Sequence, residues 1–162
     1  MNILAIDPAT KCGWATSTGQ SGTWDLSIRR DESRDMRLIR LRSKLALIHS
    51  SKHVALVVFE AARHAAPKMQ GALTVQAELQ SVIKVWCHDA HVQYRGYSPT
   101  EIKKHATGKG NAGKPAMLAA AERKWPTVEI VDDNQADAMW LLDLAQTELE
   151  LPESPATDGQ RG

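Results

Sequence analysis

Two apolar runs in this chain end in a carboxylate. Ile3-Leu4-Ala5-Ile6 stops at Asp7-Pro8, and the run over residues 54–59 stops at Glu60. A further group of acids, Asp132, Asp133 and Asp137, opens the last amphipathic segment. Carboxylates that converge repel one another unless something neutralises them. Divalent cations do so. Mg2+ prefers oxygen ligands and often bridges substrate phosphates. Two such ions roughly 3.5–4 Å apart can activate water and stabilise the leaving oxygen of a phosphodiester. Asp133 and Asp137 are four residues apart and share a helical face. Taken singly, each acid has an ordinary reading, and Asp132 or Asp133 could simply cap a helix and favour its dipole. Taken together, they predict a metal-holding edge.

The elements that must position these acids follow from periodicity. Residues 2–7 read as a strand, and residues 13–18 and 22–26 as two more, joined by the hairpin-like Thr18-Gly19-Gln20-Ser21. Met36, Ile39, Leu41, Leu45 and Ile48 follow helical spacing, with Ser33 or Asp31 as the expected cap. The continuous apolar run at 54–60 suits a strand buried on both faces. A loop at 61–70, a long helix over 71–88 and a short strand over 92–97 come next. Ser98-Pro99-Thr100-Glu101 reads as a helix start, with Ser98 as N-cap, Pro99 at the first position and Glu101 closing a capping box. Helices are expected near 115–124 and 134–149. The pattern predicts an α/β fold, a mixed central β-sheet flanked by α-helices, with residues 1–150 as one domain and 151–162 as a disordered tail.

Composition narrows the function. The net charge of +1 conceals a basic body, +9 over residues 1–128, and an acidic end, −8 over 129–162. A basic body suits a polyanionic partner. No run approaches the roughly 20 apolar residues of a membrane span, and no signal peptide is evident. Cys12 and Cys87 lack metal spacing and read as reduced thiols, so the expected location is cytoplasmic. The segment Gly108-Lys109-Gly110-Asn111-Ala112-Gly113-Lys114-Pro115 nearly spells a P-loop, but proline replaces the hydroxyl residue and a helix precedes it, so no nucleotide cofactor is expected. Its glycine amides, with Lys109 and Lys114, suit DNA phosphates. Arg63 and Lys68, which follow Glu60, are further candidates for DNA contact. For the run of arginines between 29 and 42, a solvated helix face is the plainer reading. The five tryptophans read as core.

The order Ile3-Leu4-Ala5-Ile6-Asp7-Pro8, Val57-Val58-Phe59-Glu60, the segment 97–114 and Asp133-Asn134-Gln135-Ala136-Asp137-Ala138 resembles the RuvC-like Holliday-junction resolvases of the RNase H-like superfamily, in the short form found in phages and prophages. The resemblance runs from residue 2 to about 149. It implies an RNase H-like fold and a Mg2+-dependent endonuclease, with two ions per site and Mn2+ as a substitute. It also implies branched DNA as substrate and a homodimer. The family's strand acids fall on Asp7 and Glu60, and its last acid on Asp137. The family's remaining ligand often lies three residues before that acid, here Asn134. Asp133, one residue earlier, is the better oxygen ligand and is taken as the fourth. Lys114 falls where similar resolvases carry a lysine near the reacting phosphate. The long helix carrying Leu79, Val82, Ile83, Val85 and Trp86 is too apolar for one core-facing stripe, and similar resolvases pair across such a helix. A fork or flap nuclease and a non-catalytic branched-DNA binder are the alternatives.

Overall fold

The computed structural model describes residues 1–62 and 70–150. Arg63, Lys68 and the segment 151–162 lie outside the described residues. The element order is β1 (Ile3–Asp7), β2 (Lys11–Thr16), β3 (Ser21–Asp25), α1 (Met36–Lys52), β4 (Leu56–Glu60), α2 (Gln70–Asp89), β5 (Gln93–Tyr97), α3 (Pro99–Thr107), α4 (Lys114–Lys124) and α5 (Asp133–Glu150). The expected α/β class is observed, as one sheet in the order β3-β2-β1-β4-β5. β1 pairs antiparallel with β2, and β2 with β3, while β1–β4 and β4–β5 are parallel.

Strand alternation fixes which way the acids face. Ile3 and Ala5 of β1 share a core with Leu56 and Val58 of β4 and with Ala136, Trp140 and Leu141 of α5. Leu4 and Ile6 turn the other way, with Val57 and Phe59, onto α1 and α2. Ile3 lies beside Leu56 and Ile6 beside Phe59. The two-residue period therefore sends Asp7 and Glu60 to the face that α5 covers, at the same end of neighbouring strands.

α5 crosses that face against β2, β1 and β3. Its start is pinned by side chains. Asp132 Oδ1 accepts hydrogen bonds from Gln135 N at 2.8 Å and Thr23 Oγ1 at 2.7 Å. The buried Gln135 amide accepts from Val131 N and donates to Ser21 Oγ and the Glu129 carbonyl. These bonds satisfy a polar group that is costly to bury unpaired. Gly13 of β2 makes the close approach possible, because a Cβ there would fall 1.8 Å from the Asn134 carbonyl oxygen.

The capping box of α3 forms as expected. Glu101 N donates to Ser98 Oγ at 3.2 Å, and Ser98 N donates to the Glu101 carboxylate at 2.8 Å. The expected cap of α1 does not form. Asp35 is its N-cap, with helical dihedrals and no side-chain cap bond. Ser33 Oγ accepts instead from Asp35 N, outside the helix. The tryptophans are core-facing or stacked, with Trp14 lying on Trp24 at 5.4 Å. Both cysteines are buried free thiols.

Candidate metal-binding and nucleic-acid site

Asp7 and Glu60 end β1 and β4, and Asp137 comes to them from the first turns of α5. One cavity is lined by all three, together with Asn134, Lys103, Lys114, Gly113 and Gln76. Burial pushes the Asp7 carboxyl well above the usual carboxylate range, and the charges of Glu60 and Asp137 and a hydrogen bond with Glu60 add to it, while Lys114 acts the other way. Asp137 is pushed up to about 7, first by burial and then by Glu60 and Asp133, with Lys114 and Lys103 opposing. Mutually repelling, partly desolvated oxygens held on rigid strands are the environment a cation relieves.

The donor set fits a hard divalent ion: Asp7, Glu60 and Asp137 are carboxylates, and Asn134 adds an amide oxygen. Among the described residues, no three acidic, histidine or cysteine side chains already surround one point as ligands of one ion. Mg2+ commonly takes only one or two carboxylates and fills its remaining positions with water and substrate phosphate.

The acids named from sequence are placed as follows. Asp7, Glu60 and Asp137 line the common cavity. Asp133 is at the start of α5 and pairs with Lys114, Nζ to Oδ2 at 2.9 Å. Lys114, the first residue of α4, lies at the cavity rim. Lys109 is exposed on the loop between α3 and α4, and the buried Ala112 packs that loop onto the core. Gly108, with φ +80°, closes α3 in the left-handed region glycine tolerates. The segment before this loop is helical, which removes the strand that a P-loop needs.

Sequence reading missed Lys103 of α3, which lines the cavity beside Glu60 and Asp137. The signal lies in the strand register. Tyr97 of β5 is in register with Glu60, and α3 begins two residues later, so its first turns must pass the acidic edge.

The raised carboxyls make metal-free stability pH-dependent. An Asp137 value of about 7 against an ordinary 3.8 means the native state holds an extra proton between those values. Stability therefore falls as pH rises through that window, and the cost is fully present above about 7. The expected result is a melting temperature in EDTA that drops from about pH 5 to about pH 8, with Mg2+ flattening the slope. Calorimetry with and without the ion checks it.

A five-stranded mixed sheet in this order, crossed by the last helix, is the RNase H-like fold. Within that class the chain is similar to RuvC of Thermus thermophilus, with 15% identity over 92% of this chain and 95% of that one and a TM-score of 0.70. The same protein in complex with a Holliday junction substrate gives 16% identity, 92% and 94% coverage and a TM-score of 0.73. The yeast mitochondrial Holliday junction resolvase gives 12% identity, 91% and 80% coverage and a TM-score of 0.58. No family model and no curated protein matches the chain. Among the described residues, no helix is long and apolar enough to cross a membrane.

Proposed function

We propose that the chain is a divalent-metal-dependent endonuclease that cuts branched DNA, with four-way junctions as the substrate class. The observation that carries this is the convergence of Asp7, Glu60 and Asp137 in one cavity rimmed by Lys103 and Lys114. A fold shared with RuvC and a junction resolvase, one of them described with a Holliday junction substrate, supports the choice of substrate.

Asp7, Glu60 and Asp137 would hold the ions. A bound Mg2+ pair, or Mn2+ in its place, would supply Lewis acidity toward the phosphate and a nucleophilic water. Lys114 and Lys103 bring positive charge to the same rim, where it offsets the acids when the site is empty of substrate and meets phosphate oxygens when it is filled. Lys109 and the glycine amides of the loop suit backbone phosphates, which fix register without reading sequence.

The second copy of a homodimer would sit on the α1–α2 face. A groove of about 400 Å³ there is lined by Leu38, Arg42, Glu78, Val82, Val85 and Trp86. Leu79, Ile83 and Trp86 of α2 are buried inward, whereas Val85 is 62% exposed. A groove holding both Arg42 and Glu78 can complement itself across a two-fold axis. The Val85→Asp variant is expected to shift the protein to monomer, read by light scattering behind size-exclusion chromatography. An unchanged mass would count against this face.

Labelled four-way junction, fork, flap and linear duplex of one sequence, incubated with Mg2+ or EDTA, test the proposal. Paired symmetric nicks in the junction alone support a dimeric resolvase. Equal cutting of forks and flaps points to a broader debranching nuclease, and tight binding without cutting to a non-catalytic binder.

A further inference from the structure

We infer that Asp133 is a positioning residue that holds Lys114 at the rim of the carboxylate cavity, and that it is not itself a metal ligand. This rests on the nuclease reading and refines it.

Three observations converge. Asp133 does not line the cavity, whereas Asn134 and Asp137 of the same helix do. Its Oδ2 is enclosed and lies 2.9 Å from Lys114 Nζ, so the two form a charge pair. Lys114 is the first residue of α4, where a cation opposes the helix dipole, and its N-cap Gly113 offers no side-chain cap. A lysine placed against its helix's preference needs a local reason. Asp133 supplies the counter-charge from the start of α5, where an acid is favoured.

The helices themselves show that this contact is part of a longer clamp. Lys124, ten residues on in α4, pairs with Asp143, ten residues on in α5, at 2.7 Å. α4 and α5 therefore lie side by side in the same sense. At that far end Asp143 also meets His105 of α3 at 2.7 Å, and Lys124 lies over the rings of Trp125 and Trp140. The near end is more open, with the Lys114 side chain 75% exposed. The lysine end of the pair faces solvent, so its ammonium changes partner more readily than that of Lys124, which is 44% exposed. A backbone phosphate can thus take the Lys114 ammonium from Asp133 while the far end keeps α4 in place.

The test compares Asp133→Asn, Asp133→Glu, Lys114→Met and the Asp133→Asn/Lys114→Met double variant. Two readouts are used: Mn2+ binding by calorimetry without DNA, and single-turnover cleavage of a four-way junction. Asp133→Asn is expected to keep Mn2+ affinity within about threefold of wild type, whereas even the loss of a partner that orients a ligand typically weakens it by about ten- to a hundredfold. Lys114→Met should slow cleavage by about 10²-fold and Asp133→Asn by about tenfold. The double variant should be no slower than Lys114→Met, because the two residues act as one unit. Asp133→Glu should restore most of the rate. Loss of Mn2+ affinity in Asp133→Asn, matching that of Asp137→Asn, overturns the inference, as do rate losses that multiply in the double variant. A wild-type protein that binds Mn2+ but cuts nothing overturns the nuclease reading instead, and the Mn2+ comparison still decides whether Asp133 is a ligand.

Discussion

Asp7→Asn is expected to lower junction cleavage by roughly 10³-fold or more while junction binding is kept or strengthened. Asp7 ends β1, between β2 and β4 in the sheet, where it pairs with Gly13 of β2 while the preceding Ile6 pairs with Phe59 of β4. The substitution keeps shape and hydrogen-bonding capacity. It removes one charge from a cluster whose members already raise one another's pKa. Metal-free stability should therefore hold or rise, which separates this variant from one that fails to fold. Removing a negative charge from a surface that must approach phosphates also favours DNA. Gel shifts in EDTA, a melting curve and a cleavage time course with Mg2+ check the three parts.

Gly13→Ala is the second large effect, and it acts through the backbone. Its new methyl group would meet the Asn134 carbonyl oxygen at 1.8 Å and its carbon at 2.4 Å. Neither atom belongs to a flexible side chain, so β2 and α5 must separate by about 1 Å or more, an overpacking that costs on the order of 1–3 kcal/mol. The displaced segment carries Asp133, Asn134 and Asp137. A misplacement of about 1 Å can cost about 10²-fold in rate. The expected variant is folded with a lowered melting temperature, and it loses far more activity than stability. Mn2+ affinity should fall with it, since Asp137 moves away from Asp7 and Glu60. Wild-type activity in this variant would show that α5 does not set the site.

Much of this arrangement is legible in the sequence because strands and helices repeat regularly. Apolar runs at 3–6 and 54–59 mark the two central strands. The two-residue period then puts Asp7 and Glu60 on one face once the strands are adjacent. The capping box at Ser98 and Glu101 and the helix start near Asp132 are local chemistry, and both formed. Positions that depend on tertiary contact were harder. Asp133 and Asn134 are neighbours on a helix, and one residue is a turn of about 100°. Which of them meets the cavity is settled by how α5 is pinned through Asp132, Gln135 and Gly13. Lys103 needed the β5 register, which the sequence alone does not print. At α1, the polar segment offered Ser33 and Asp31 as caps. The observed start at Met36 follows Asp35, while Glu32 turns to Arg40 and the Arg29 amide.

The basic-body reading gains a specific geometry from the same contacts. Lys103 of α3 and Lys114 of α4 bring positive charge to the acidic cavity, and Lys109 is exposed on the loop between these helices. The acidic end of the chain, in turn, includes α5, whose acids serve this edge at one end and pair with Lys124 and His105 farther along. The opposed charges of the two parts of the sequence thus meet within one fold.

The most direct test is a cleavage time course on a labelled four-way junction with Mg2+, run beside EDTA and beside the Asp7→Asn variant. The expected result is metal-dependent, paired nicks at symmetric positions with wild type, and intact but tightly bound junction with Asp7→Asn. Cutting that persists in EDTA, or in Asp7→Asn at the wild-type rate, would contradict the assignment of Asp7, Glu60 and Asp137 as a metal-holding catalytic edge.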